Sequence, residues 1–252
     1  MINPMDLRER SILVTGASSG IGRETAVLLS ELNARLILTG RNQERLDKTL
    51  GMLQGAGHRI CPFDVDRLDE IPGWLKRIAV EDGPLAGLVH CAGVEVSAPV
   101  AVLSAQRVES VMRTNVGSAL MLARAFRQKG CWAPDSSLVF VSSIRGVVGA
   151  AALSVYGASK AALIGMVKAL AIEFAPDRIR VNCVVPGFVQ TEMTDRLRAR
   201  LTSEQFTAIA AMHPLGIGTP RDVANGIAFL LADTGAWITG SSLVIDGGYT
   251  AH

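Results

Sequence analysis

Seven short, nearly all-apolar runs alternate with longer stretches of helical period, and this alternation limits what the chain can fold into. The runs cover residues 11–15, 35–39, 60–63, 87–91, 138–141, 179–184 and 242–245. The helical stretches lie near 23–32, 42–53, 68–78, 104–128, 156–174 and 221–231. Strands that are apolar throughout need cover on both faces, and right-handed crossovers place helices there. The expected fold is α/β: a single doubly wound (Rossmann-type) parallel seven-stranded sheet with helices on both faces.

No Pro/Gly/Ser-rich linker and no internal repeat divides the 252 residues, so one catalytic domain over 1–252 is expected. The exception is 187–214, whose charged amphipathic segment 192–212 reads as a substrate lid. Hydrophobic residues at 49% against 19% charged exclude a disordered chain. A net charge of +2, with both signs interleaved, gives no basic stripe for nucleic acid. The uncharged run 146–159 is short of the ~20 apolar residues of a membrane span, and 1–10 holds no apolar block of a secretory signal. A cytoplasmic protein without membrane contact is expected. Cys61, Cys91, Cys131 and Cys183 form no CxxC pair, so they read as buried free thiols and no metal is expected.

Directly after the first run stands Thr15-Gly16-Ala17-Ser18-Ser19-Gly20-Ile21-Gly22, followed by a helical pattern from Arg23. Such glycines allow a tight turn and close approach of a pyrophosphate to backbone N–H groups at a helix N-terminus. The GxxxGxG spacing differs from the commoner GxGxxG. A phosphate-cradling P-loop is excluded because its Gly-Lys-Ser/Thr is missing. Residues 16–20 also satisfy GxSxG, the nucleophile elbow of α/β-hydrolases, but on a first strand nothing upstream could build the oxyanion hole. Where an acidic residue would bond the ribose 2′-OH of NAD, Gly40-Arg41 stands, and a guanidinium suits a 2′-phosphate. Arg41 therefore points to NADP(H) rather than NAD(H).

Tyr156 and Lys160 are four apart in an Ala-rich helical stretch, which puts both side chains on one face. A phenol with an ordinary pKa near 10 exchanges protons poorly at neutral pH, and a neighbouring ammonium favours its phenolate. Ser142 and Ser143 end the fifth run, at the sheet edge where ligands bind. Either could polarise a carbonyl or simply cap the following turn.

These motifs, with Asp64-Val65, Cys91-Ala92-Gly93, Asn115, Pro186-Gly187, Thr191, Ile238-Thr239-Gly240 and Asp246-Gly247-Gly248, run the length of the chain. The whole resembles the short-chain dehydrogenase/reductase family, particularly its 3-oxoacyl-acyl carrier protein reductase branch. The resemblance implies reversible hydride transfer between NADP(H) and a carbonyl or secondary-alcohol carbon. It makes Tyr156 the acid in reduction and the base in oxidation, Ser143 the holder of the substrate oxygen, and Lys160 the group that lowers the Tyr156 pKa and binds nicotinamide ribose. Asn115 would kink its helix and position a water leading to Lys160. The cofactor would lie on Gly16, Ser18, Ser19, Gly20, Ile21, Gly22 and Arg41, with Asp64 and Val65 at the adenine. Cys91, Ala92 and Gly93 would meet its ribose, and Val189 with Thr191 its carboxamide. A homotetramer follows from the same resemblance, paired through the helices of Asn115 and Tyr156. The substrate would be a 3-oxoacyl group on a carrier protein, or else a sugar, polyol or other small ketone or alcohol. A catalytically silent NADP(H)-binding sensor or scaffold is the alternative class.

The chain departs from the family in three places. His90-Cys91 stands where the family writes two asparagines, which removes two amides; His90 reads as structural rather than as a base. Two basic positions that receive an acidic carrier align with Pro134 and Asp177, although Arg178 adjoins the latter. Arg145, at a position that often carries something small, is expected to face an anionic or polyhydroxy substrate, or to make a surface ion pair.

Overall fold

The computed structural model describes residues 3–199 and 201–251. Its strands are β1 (Ser11–Thr15), β2 (Arg35–Thr39), β3 (Arg59–Ile60), β4 (Leu85–His90), β5 (Trp132–Val141), β6 (Arg180–Pro186) and β7 (Ser242–Ile245). The helices are α1 (Gly20–Glu31), α2 (Gln43–Leu50), α3 (Ile71–Asp82), α4 (Ala105–Met112), α5 (Ser118–Phe126) and α6 (Ser154–Phe174). They continue with α7 (Glu192–Arg198), α8 (Ser203–Ala211) and α9 (Pro220–Leu231). The strands form one parallel sheet in the order β3-β2-β1-β4-β5-β6-β7.

Alternate side chains along the central strands enter different cores, which is why these strands are mostly apolar. In β1, Ile12 and Val14 join α1 and α9, whereas Leu13 joins α3, α5 and α6. Val139 and Val141 of β5 take the first side, Leu138 and Phe140 the second. Full burial of each such side chain contributes roughly 1.5–3 kcal/mol. The doubly wound sheet with helices on both faces is thus present as expected.

Three boundaries differ from the sequence pattern. Strand β3 covers only Arg59–Ile60, ahead of the 60–63 run. Strand β5 starts at Trp132 and carries Pro134-Asp135 through a register shift against β4, with Asp135 at φ 57°. Pro and a left-handed Asp look like a turn but here make an irregular strand entry. The stretch 104–128 is not one helix: a π turn over Arg113–Gly117 separates α4 from α5.

From β1 the chain winds outward through β2 and β3, then crosses to β4 on the other side. A crevice forms where the order reverses, beyond the C-terminal ends of β1 and β4. Helices α7 and α8 occupy the 187–214 segment beside it. Among the described residues one helical stretch, Ser154–Asp177, is long and apolar enough to cross a membrane. It packs along β6 and carries Lys160 on its buried side.

Candidate active site

The turn after β1 is held to the end of β4. Gly16 has φ +66°, and a Cβ there would lie 2.7 Å from the Ala92 nitrogen. A Cβ on Gly22 would lie 2.3 Å from the Gly16 carbonyl oxygen. Only glycine permits either approach. Cys91 N–H donates to the Thr15 carbonyl at 3.3 Å, and Ala92 N–H to Thr15 Oγ1 at 3.3 Å. Ser19, the N-cap of α1, makes no side-chain cap bond. A side-chain-free cradle below an uncapped helix end fits a pyrophosphate.

Around that cradle Ser18, Ser19 and Ile21 are partly buried, and Arg41 is exposed just past β2. Val65 is buried, while Asp64 Oδ1 accepts from Asp66 N–H at 3.1 Å. Burial pushes the Cys91 thiol up to about 12, so it stays protonated. Val189 is buried, and Thr191 caps α7 through Thr194 N–H. Glu192, the first residue of α7, reaches Arg23 of α1 at 3.4 Å and Arg45 of α2 at 3.3 Å. The sequence reading missed this three-residue link, because its members lie up to 169 positions apart.

Beyond β5 the structure brings Ser143, Tyr156 and Lys160 together. Tyr156 and Lys160 are 8% and 6% exposed, and Lys160 Nζ sits 5.7 Å from the Tyr156 ring centroid. Lys160 Nζ donates to the Val141 carbonyl at 2.8 Å, and Ser142 Oγ donates to the Lys160 carbonyl at 2.8 Å. Ser142 is therefore a tie between β5 and α6, which leaves Ser143 to face the phenol. Asn115 occupies the π turn: its Oδ1 accepts from Val94 N–H at 2.8 Å, and its Nδ2 donates to the Val94 carbonyl and to Ser159 Oγ, both at 2.9 Å. Those bonds hold the widened turn against the strand β4 exit and against α6. A Cβ on Gly93 would fall 3.2 Å from Asn115 Oδ1 and 3.4 Å from Lys160 Nζ, so the 91–93 backbone reaches the same cluster.

The electrostatics differ from the expected pairing. Burial raises the Tyr156 phenol above its usual value, and the charge of Glu95 adds to that; Ser143 and the Arg145 guanidinium oppose it. Lys160 is not among the groups lowering it. Burial brings Lys160 itself down to about 8, with the Glu95 charge opposing it. Glu95 and Arg145 are thus local charges that the Tyr-x3-Lys spacing alone could not announce.

His90 bonds through both ring nitrogens. Thr15 Oγ1 accepts from Ala92 N–H and donates to His90 Nδ1 at 2.8 Å, the role left to Nδ1 when Nε2 carries the ring proton. The ring's Nε2–H then donates to Ser118 Oγ at 3.0 Å, which passes its proton to the Thr114 carbonyl at 2.5 Å. The chain of bonds fixes the tautomer and links β1, β4 and the π turn. His90→Leu leaves two buried hydroxyls with fewer partners and should cost about 2–4 kcal/mol in urea unfolding. Burial, then the Lys160 charge, holds His90 down to about 3. The unfolded ring, near 6.5, takes a proton that the folded ring refuses, so stability falls as pH drops from about 6.5 toward 3, by about 1.4 kcal/mol per unit. A His90→Gln variant should lose that slope; an unchanged slope between pH 7 and 5 would assign it elsewhere.

A parallel doubly wound sheet with a glycine cradle at its switch point and a buried Tyr–Lys pair at the same edge defines a dinucleotide-binding oxidoreductase scaffold. A family model described as enoyl-(acyl carrier protein) reductase matches residues 16–250. The chain is 38% identical over 248 residues to a cis-4-hydroxycyclohexanecarboxylate dehydrogenase of Sinomonas cyclohexanicum, covering 96% of this chain and 97% of that one. It is 34% identical to a 3-oxoacyl-[acyl-carrier-protein] reductase of Vibrio cholerae, covering 97% and 98%. A solved short-chain type dehydrogenase/reductase from Mycobacterium ulcerans superposes with a TM-score of 0.90 at 28% identity, covering 97% and 91%. The chain belongs to the short-chain dehydrogenase/reductase family of oxidoreductases.

Proposed function

We propose that this chain is an NADP(H)-dependent enzyme, acting as one catalytic domain, that interconverts a carbonyl and a secondary alcohol. The convergence of Ser143, Tyr156 and Lys160 at the mouth of the glycine cradle carries this reading. A nicotinamide dinucleotide bound along 16–22, 64–65, 91–93, Val189 and Thr191 supplies or takes the hydride. In reduction, Ser143 Oγ holds the carbonyl oxygen while Tyr156 Oη gives it a proton; in oxidation Tyr156 takes that proton back. Lys160, whose Nζ lies 5.7 Å from the Tyr156 ring centroid, would meet the ribose hydroxyls. Asn115 holds the π turn against which Lys160 and the 91–93 backbone are placed.

The test is absorbance at the nicotinamide band across a ketone and alcohol panel with both cofactors. Turnover with NADPH or NADP is expected; silence across the panel would favour a binding protein without catalysis. Arg41→Ala should raise the KM for NADPH about 10- to 100-fold, the loss of a charge-assisted bond, and leave that for NADH nearly unchanged. Equal effects on both would remove Arg41 from the 2′-phosphate.

Within this reading a free small ketone or alcohol is favoured over a carrier-linked acyl chain. Asp177 is tied to Arg127 at 2.8 Å, and Asp135, beside Pro134, is paired with Arg178. An acidic carrier would therefore meet acids already neutralising the nearby arginines. A cavity of about 760 Å³ between α5 and the end of α6 includes Asp177 and holds none of the catalytic cluster. The hydroxy acid in the name of the Sinomonas relative supports the same choice. Cytoplasmic residence and a homotetramer complete the proposal.

A further inference from the structure

We propose that Arg145 is a carboxylate-recognition residue, so that the substrate is an oxo or hydroxy acid. The proposal rests on the reading that Ser143 and Tyr156 hold the reacting oxygen. Arg145 follows Ser143 by two residues, and its backbone N–H donates to Ser143 Oγ at 3.2 Å. Its guanidinium carbon lies 5.3 Å from the Phe188 ring centroid and 5.2 Å from that of Tyr249. One nitrogen, Nη1, donates to Tyr249 Oη at 3.1 Å and to the Gly149 carbonyl at 3.4 Å.

The rings are themselves braced. His213, 3% exposed, lies 5.5 Å from Phe188 and 4.8 Å from Tyr249 between centroids. Its Nε2 accepts from Phe188 N–H at 3.2 Å, which leaves Nδ1–H to donate to the Ile209 carbonyl at 2.9 Å. Arg145 is thus held by the segment after β6, the end of the lid and the C-terminal turn.

None of the ion pairs among the described residues involves Arg145. Among the described residues, the surface ion pair that the sequence allowed is not formed. A half-buried guanidinium is stabilised by ring faces, but it gains most from an anion that accepts from its planar edge. One clamped cation matches the single charge and planar fork of a carboxylate. Its influence on the Tyr156 phenol places it within electrostatic reach of the reacting oxygen.

The experiment begins with binding. Cyclohexanecarboxylate is titrated into the full chain, with and without NADPH, by calorimetry. Wild type should bind the acid at least about tenfold more tightly than its methyl ester, Arg145→Met should erase that difference, and Arg145→Lys should restore part of it. Acid and ester bound alike, or a preference untouched in a well-folded Arg145→Met, would overturn the proposal. Turnover of 4-oxocyclohexanecarboxylate against its methyl ester separates this inference from the reading beneath it. The acid-to-ester ratio of kcat/KM should fall at least tenfold in Arg145→Met, whereas equal losses on both substrates overturn the carboxylate role and leave the carbonyl chemistry standing. Acid binding that depends on Arg145, with silence across the whole ketone and alcohol panel, would uphold the site and refute hydride transfer.

Discussion

Tyr156→Phe should lower kcat by about 10³-fold or more while the Kd for NADPH stays within about twofold of wild type. The substitution removes one oxygen and keeps the ring, which is 8% exposed and packs above Lys160. General acid–base catalysis contributes about 10²–10⁴ in rate, and in the proposed reaction the same atom would also orient the carbonyl with Ser143. Steady-state turnover and a fluorescence titration of NADPH check the two halves of the expectation. Turnover near wild type would remove Tyr156 from proton transfer, whatever its place in the fold.

Gly22→Ala is expected to have the second large effect. The added methyl would stand 2.3 Å from the Gly16 oxygen and 2.7 Å from its carbonyl carbon, and neither is a side chain that can turn away. The turn and the first turn of α1 must separate, at a cost of about 1–3 kcal/mol or more in unfolding free energy. NADPH affinity should fall at least about tenfold, since the displaced backbone is the cradle itself. Gly73→Ala in α3 is the control. Its nearest neighbour would be the end of the Arg77 side chain at 3.9 Å, so it should gain about 0.5–1 kcal/mol from helix propensity. Equal behaviour of the two variants would show that the close packing at Gly22 is not what fixes the turn.

The sheet was legible because strands buried on both faces need apolar residues at successive positions, and Leu13 between Ile12 and Val14 is the clearest case. Its limits were less so. Pro134 and Asp135 carry turn chemistry that the register shift against β4 absorbs, and only the neighbouring strands decide that. The split of 104–128 follows from Asn115 bonding the Val94 backbone, 21 positions away. Helical period inside 104–128 contains no trace of that partner; the family resemblance did imply the kink. At the site, the glycines and the Tyr156–Lys160 spacing were visible because they are local. His90 was visible only as a departure: its two hydroxyl partners, Thr15 and Ser118, come from β1 and α5. The brace around Arg145 spans Phe188, His213 and Tyr249, residues that share a corner of the fold but no motif.

The alternation of strand side chains between two cores also divides the labour of the site. The glycine cradle leads into α1, on the face that Ile12, Val14 and α9 fill, whereas Tyr156 and Lys160 ride on α6, on the face of Leu13 and Phe140. The sheet therefore works as a partition between two separately packed rooms. In the proposed reaction, loosening one room would slacken the grip on the nucleotide, and loosening the other would misalign the proton donor. The two meet at the ends of β1 and β4, where Thr15 Oγ1 and His90 Nδ1 lie 2.8 Å apart.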